Sequence, residues 1–397
     1  MRYLISGYYG EKNAGDEAIL AGILQEVRRR DPEAAFTVLS FDPEDTCRRH
    51  GVETLSTSLR DPVGLVAAMR SSDLLISGGG SILHEADFAL HGRSFLFREG
   101  KLRPVPYFLS VVLLARAVGL PVMWYAQGLG PLHTSAARRL VGAAGSASQV
   151  VTWRDPDSAR LAAEVGVRPP LQLVTADPAY ALEPAPAERV AEELEAAGVP
   201  LDTRYVAVCP RPWLGRTEYQ DALVSAVGRI AAAHDLAVLL LPFHDRLDAP
   251  LCAELAARPL LVDRTWVLGG GGDPRLLAGL LGGAVCAVTM RLHSGILAAA
   301  AGTPAVCVAY DLKVAAFATL TGQAHWSVSV DTLGAPGGAA VLEALLRATI
   351  VDLASRRAAL ARRVHPLRAE AGRTARLAVQ VAEAAAADRS RSLRERP

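Results

Sequence analysis

The chain has very few lysines. Of its 42 basic residues only Lys12, Lys101 and Lys313 are lysines. Where arginine is the default cation, a lysine at a strand edge marks a place that needs a compact point charge rather than a planar fork. A surplus of charge is also missing: 42 basic against 41 acidic residues leave a formal net charge of +1. That excludes a nucleic-acid binder or polyanion carrier working through a general positive field, so any anion site must be local. The five cysteines, Cys47, Cys209, Cys252, Cys286 and Cys307, contain no C-x-x-C pair. They fit buried thiols in a reducing compartment and exclude a disulfide framework or a cysteine zinc site. Long apolar runs are absent too. The most apolar window, 105–124, contains Arg116 and is broken by Gly119-Leu120-Pro121. Its uninterrupted part, 105–115, is far short of the roughly 20 residues of a membrane span. A buried helix is expected there, a membrane surface being the other setting for so apolar a helix. Residues 1–9 are interrupted by Gly7 and pass straight into Gly10, which does not read as a signal peptide. The expected location is cytoplasmic, with the inner face of the membrane compatible.

With 397 residues and 51% hydrophobic content, the chain can build two domains of ordinary size. Apolar runs alternate with helical patterns throughout, which predicts parallel sheets flanked by helices. Strands are expected over 2–6, 36–40, 74–77, 122–126, 149–153 and 171–175, then over 205–209, 236–241, 260–262, 284–289 and 305–308. A helix over 17–30 carries Ile19, Leu20, Ile23, Leu24 and Val27 on one stripe and arginines at its end. Near residues 182–186 the composition turns to Pro, Ala and Glu. The expected organisation is an N-terminal Rossmann-like domain over 1–182, a linker over 183–203 and a C-terminal Rossmann-like domain over 204–336, the two facing across a cleft. Helices over 337–387 are long enough to pack back on the first domain. Residues 388–397, with Arg389, Arg391, Arg394 and Arg396, read as a disordered tail.

Polar and glycine-rich residues recur just after the expected strands. The strand 284–289 runs into Arg291-Leu292-His293 and an alanine-rich helix, and the next strand is followed by Asp311 and Lys313. Parallel neighbours would put Lys313 beside Arg291 and His293 at the carboxyl edge, where open α/β sheets bind ligands. A small, multiply charged anion is implied, a solvated surface lysine being the plain alternative. The stretch from Gly7 to Asp16, which includes Asn13, joins the first strand to the first helix and places Asp16 near the helix start, as an N-cap or as an acid–base group. Ser77-Gly78-Gly79-Gly80-Ser81 reads as a loop whose backbone N–H groups can approach a phosphate or sugar. It lacks G-x-G-x-x-G spacing and a Gly-Lys-Ser/Thr ending. Gln127-Gly128-Leu129-Gly130-Pro131, Arg154-Asp155 and Asp177-Pro178-Ala179 follow later strands, and Arg211-Pro212-Trp213 and His244-Asp245 repeat the placement in the second half. Singly these are turn chemistry; together they read as walls of a cleft.

Taken together, Asn13-Ala14-Gly15-Asp16-Glu17, Gly78-Gly79-Gly80-Ser81, Gln127-Gly128-Leu129-Gly130-Pro131, Arg154-Asp155, Asp177-Pro178-Ala179, Arg291-Leu292-His293-Ser294 and Asp311 with Lys313 resemble the polysaccharide pyruvyl transferases, in particular the bacterial cell-wall enzymes of the CsaB type. The resemblance implies a fold like the two-domain GT-B glycosyltransferases and transfer of a pyruvyl group from phosphoenolpyruvate to two hydroxyls of a sugar, forming a ketal. It further implies a lipid-linked acceptor containing N-acetylmannosamine, in cell-wall biogenesis that anchors surface-layer proteins. By motif position Arg154, His293 and Lys313 correspond to phosphoenolpyruvate-binding or catalytic positions and Asp16 to a catalytic acidic position. The chain departs from many members at Ser81-Ile82-Leu83-His84-Glu85, where they carry a Gln-Asp pair.

The residues suit that chemistry in their own right. Phosphoenolpyruvate has two anionic ends for Arg154, Arg291 and Lys313. His293 can deliver a proton to the donor carbon, and Asp16 can take one from the attacking hydroxyl. Asn13, Gly79, Gly80, Ser81, Gln127, Asp177 and Arg211 are the candidates for acceptor or cleft-loop contacts. No step requires a metal, redox cofactor or nucleotide. The expected partners are phosphoenolpyruvate and a lipid-linked saccharide, not nucleic acid, with peripheral membrane contact and a homo-oligomer both compatible. A nucleotide-sugar glycosyltransferase of the same architecture and a noncatalytic glycan-binding protein are the competing readings.

Overall fold

The computed structural model describes residues 1–57, 61–85, 96–98, 101–200 and 202–394. Residues 1–11, 19–178 and 369–397 group as one compact unit, and residues 12–18 and 179–368 as another.

The first unit is built on a seven-stranded sheet. Its strands are β1 (Arg2–Ser6), β2 (Ala35–Ser40), β3 (Glu53–Ser56), β4 (Leu74–Leu83), β7 (Val122–Leu129), β8 (Val150–Trp153) and β9 (Leu171–Val174). A two-residue hairpin, β5 (Phe97–Arg98) and β6 (Lys101–Leu102), intervenes. The order is β3-β2-β1-β4-β7-β8-β9, parallel throughout. Parallel strands covered on both faces read as continuous apolar runs, and Tyr3, Leu4, Ile5, Leu74, Leu75 and Ile76 are all at most 1% exposed. The helix Ala14–Arg28 buries the predicted stripe, with Ile19, Leu20, Ile23, Leu24 and Val27 facing the sheet core.

The second unit has β10 (Tyr205–Cys209), β11 (Ala237–Leu240), β12 (Thr265–Val267), β13 (Cys286–Thr289), β14 (Ala305–Ala309) and β15 (Ser327–Ser329), again all parallel. Their order is β12-β11-β10-β13-β14-β15. That is the doubly wound arrangement, whose strand order reverses between β10 and β13; in the first unit it reverses between β1 and β4. Ligands of such sheets bind at the carboxyl ends beside this switch point.

Several boundaries differ from the sequence expectation. Residues 12–18 belong with the second unit rather than with the domain expected over 1–182. The supposed linker over 183–203 contains the helix Ala187–Ala196, and Val190 packs against Gly279 of the helix Pro274–Gly283. Expected strand 260–262 is a turn, because only Leu261 of its apolar residues is buried; the strand lies at Thr265–Val267. The glycine run Gly78–Gly80 is the continuation of β4 rather than a loop, with positive φ at all three positions and Gly78 and Gly80 paired to Tyr125 and Gln127. Only glycine holds that conformation without strain.

Of the C-terminal helices, Gly338–Val351 lies in the second unit, and Leu353–Arg394 passes into the first from Ala369, where Ala375, Ala378, Val379 and Ala382 are buried. Residues 388–394 of the supposed tail continue this helix, and Arg389 donates to the Ser72 carbonyl at 2.7 Å and pairs with Asp73. Residues 395–397 lie outside the described residues. The apolar helix Pro104–Ala117 buries Val105, Phe108, Leu109, Val111 and Val112 in the core. Among the described residues no helix is long and apolar enough to cross a membrane.

Candidate active site

The predicted residues fall into two groups, one on each unit. In the first unit they gather at the carboxyl ends of β4, β7, β8 and β9. Arg154, just after β8, is 8% exposed and donates from Nη2 to Ser81 Oγ at 2.8 Å. Its Nη1 lies 3.5 Å from Asp177 Oδ2, and its Nε lies 3.5 Å from Asp155 Oδ2. Asp177 is 1% exposed. A carboxylate so buried beside a guanidinium fixes where that guanidinium points. Asp155 also caps the next helix, accepting the Ser158 N–H at 2.7 Å.

Gln127 does not line an open surface. It is fully buried, and its Nε2 donates to the carbonyls of Gly80 and Gly128 at 3.0 and 2.9 Å. Its role is to hold the glycine backbone of β4. Glu85, in the stretch that departs from the family pattern, is likewise committed: its carboxylate accepts the His133 and Thr134 N–H groups and the Thr134 hydroxyl.

In the second unit the candidates surround the switch point. The segment before the first helix pairs with the loop after β11, through Ala14 N–H to the Phe243 carbonyl at 2.8 Å and a bridge between Asn13 and His244. Asn13, not Asp16, caps the helix: its Oδ1 accepts the Gly15 N–H, and its Nδ2 donates to Asp16 Oδ2 at 2.5 Å. Asp16 sits inside the first turn. Burial pushes its carboxyl from 3.8 up to about 6; Glu17 adds to the rise, while His293, the Asn13 hydrogen bond and Arg291 hold it down. His293, second in the helix Leu292–Ala300, lies against Gly15. A Cβ on Gly15 would come within 2.5 Å of His293 Nδ1. The glycine is therefore required for close approach, and Gly15→Ala is expected to displace the imidazole and lower turnover at least about tenfold with circular dichroism unchanged. Wild-type turnover would show that the pairing of Asp16 with His293 has no bearing on the reaction.

Arg291 is placed where the sequence predicted, but its fork is already engaged. Nε donates to Asp248 Oδ2 at 2.7 Å and Nη2 to Oδ1 at 2.6 Å, with Asp248 completely buried. Its charge is thus balanced by a carboxylate inside the protein, as that of Arg154 is by Asp177 and Asp155. Sequence reasoning missed Asp248, whose only signal was an acid opening the apolar helix Asp248–Ala256. Lys313 lies just after β14, the parallel neighbour of β13, so it shares the edge with Arg291 and His293. Asp311 caps its helix, accepting the Lys313 and Val314 N–H groups. Arg211 follows β10 and donates to the Tyr310 hydroxyl at 2.5 Å.

Two Rossmann-like units, each presenting charged groups at the carboxyl ends of its strands, define a protein of the GT-B-like class. Within that class, the sequence model for polysaccharide pyruvyl transferases matches residues 13–311, and the chain belongs to that family. Solved structures agree at the level of fold. Anabaena Alr3699/HepE in complex with UDP and glucose is 14% identical, with 98% of this chain and 99% of that chain covered and a TM-score of 0.55. A Rickettsia africae glycosyltransferase is 11% identical over 97% of this chain and 98% of its own, with a TM-score of 0.59. A putative UDP-N-acetylglucosamine 2-epimerase from Listeria monocytogenes is 12% identical over 94% of both chains, with a TM-score of 0.60. Comparison with curated proteins gives no match.

Proposed function

We propose that this transferase moves a pyruvyl group from phosphoenolpyruvate to two hydroxyls of a sugar, with N-acetylmannosamine of a lipid-linked cell-wall polysaccharide precursor as the acceptor and surface-layer anchoring as the purpose. The observation that carries this reading is the juxtaposition of Asp16, its carboxyl raised to about 6, with His293 on the edge that also bears Lys313.

The chemistry assigns each group a task. His293 delivers a proton to C3 of the donor, turning its methylene into a methyl group. One sugar hydroxyl attacks C2 and gives its proton to Asp16. The second hydroxyl then displaces phosphate from C2 and its proton leaves with the phosphate, closing the ketal and releasing inorganic phosphate, while the proton held by Asp16 balances the one His293 gave up. Asp16 is ionised and able to act as a base above about pH 6. Lys313 neutralises an anionic end of the donor. Asn13 orients the Asp16 carboxylate through its amide.

Incubating the purified protein with phosphoenolpyruvate and lipid-linked saccharides should release phosphate and add one pyruvyl ketal to the acceptor mass. Transfer that consumes a nucleotide sugar and ignores phosphoenolpyruvate would instead establish glycosyltransfer, and binding of the glycan without turnover would establish a lectin-like protein. Lys313→Ala is expected to raise KM for phosphoenolpyruvate about tenfold or more, since a hydrogen bond to a charged group contributes about 1.5–3 kcal/mol. An unchanged KM would make Lys313 a solvated surface residue.

A further inference from the structure

The two arginines flanking the switch point of the second sheet differ in one respect. Arg291 is neutralised by the buried Asp248. Arg211, which follows the neighbouring strand β10, has no carboxylate within ion-pair distance among the described residues. Aromatic rings hold it instead. Its guanidinium carbon lies 4.4 Å from the Tyr310 ring centroid and 5.4 Å from that of Trp213, and those two rings are 4.5 Å apart. Both distances fall inside the range of cation–π attraction. The backbone is fixed as well, because the hydroxyl of the buried Tyr219 donates to the Arg211 carbonyl at 2.5 Å. The side chain is thus preorganised by groups that do not cancel its charge.

Its donor inventory is left incomplete. Nη1 reaches the Tyr310 hydroxyl, while Nε and Nη2 have no hydrogen-bond partner among the described residues. Because the Tyr310 oxygen accepts from Arg211, its own O–H remains to be donated onward. Burial pushes that phenol upward, which keeps the proton on it. A cation and a neutral hydroxyl donor side by side suit a tetrahedral oxyanion better than a planar apolar group.

We propose that Arg211, clamped by Trp213 and Tyr310, is the phosphate-recognition residue of this sheet edge, with the Tyr310 hydroxyl as its second donor. In taking that phosphate from a substrate of pyruvyl transfer, the proposal rests on the reading above. Two sources share the chemistry: the phosphate of phosphoenolpyruvate, and a phosphate carried by the lipid-linked acceptor.

The test uses the full chain, wild type, Arg211→Gln and Tyr310→Phe. Titration calorimetry with phosphoenolpyruvate and, separately, inorganic pyrophosphate is combined with KM for donor and acceptor. If the donor supplies the phosphate, Arg211→Gln weakens phosphoenolpyruvate binding and raises its KM about tenfold or more. If the acceptor supplies it, phosphoenolpyruvate binding is unchanged while pyrophosphate binding and acceptor KM deteriorate by a similar factor. Either result supports the assignment. A folded Arg211→Gln protein with all four quantities unchanged overturns it and leaves Arg211 a packing residue. Should that variant fail to fold, Tyr310→Phe keeps the ring and removes only the hydroxyl. A loss of about threefold or more in the same quantity supports the assignment, and no change overturns it. Absence of phosphoenolpyruvate turnover in the wild type would refute the transfer reaction alone, since pyrophosphate binding still reports on Arg211.

Discussion

Asp16→Asn is expected to lower turnover about a hundredfold or more while making the folded protein more stable at neutral pH. The two effects have one cause. Burial raises the Asp16 carboxyl to about 6, well above its ordinary 3.8. A group that holds its proton more tightly when folded contributes stability that is complete below about pH 4 and is lost as the pH rises through about 6. Above pH 6 the native enzyme carries a partly buried, desolvated carboxylate at a cost of at most about 3 kcal/mol. Asparagine is free of that cost, and its amide oxygen can still accept the hydrogen bond from Asn13. The stability gain should therefore be present at pH 7 to 8 and shrink to nothing near pH 4, as read from thermal unfolding at each pH. The native enzyme's turnover should climb as the pH rises through about 6, because the ionised form of Asp16 is the base. Turnover close to the native value in Asp16→Asn would reduce the residue to part of a helix cap. His293→Ala should lower turnover by a similar factor, and KM for phosphoenolpyruvate is expected to rise with it, because the proposed proton transfer puts the ring against the donor.

The largest expected loss of stability comes from Asp248→Ala. It removes a fully buried carboxylate from a guanidinium that is itself 13% exposed, leaving Arg291 charged and unpaired in the interior. Breaking such a pair from one side typically costs about 3–5 kcal/mol. Phe243 would also lose the acceptor of its N–H, 3.2 Å away. Arg291→Ala should be nearly as damaging for the mirror-image reason, and the double variant should fall well short of the sum, because each change already removes the same interaction. Denaturant midpoints of the three variants measure this directly. Additive losses, or a single loss below about 1 kcal/mol, would show that the pair does not hold the β13 edge. Arg291→Ala is consequently a poor probe of donor binding: a raised KM would mix lost charge with a disturbed edge. Lys313 and Arg211 are the cleaner probes.

Much of the architecture was legible because parallel sheets write themselves as apolar runs. Strands β1, β10 and β14 were placed to within a residue, and the stripe Ile19, Leu20, Ile23, Leu24, Val27 predicted the buried face of its helix. The failures have local causes. Leu260 and Val262 looked like strand residues but are more than half exposed, while the short strands Glu53–Ser56 and Ser327–Ser329 are too polar to stand out. The arginine-rich end was read as a tail because a helix anchored by Arg389 on Asp73 depends on a partner 316 residues away.

The placement of the candidate residues was legible for the same reason. The alternation of strand and helix by itself determined that polar residues following the strands would lie at the carboxyl edges of parallel sheets, Asp16, Arg154, Arg211, His293 and Lys313 among them. Tertiary structure alone decided which charges remain available there. Asp248 reaches Arg291 across 43 residues and neutralises it, whereas Trp213 and Tyr310 grip Arg211 without cancelling its charge. Hydrophobic periodicity carries no trace of that difference, because an ion pair depends on distance in space and a periodic pattern reports only which face of an element is buried.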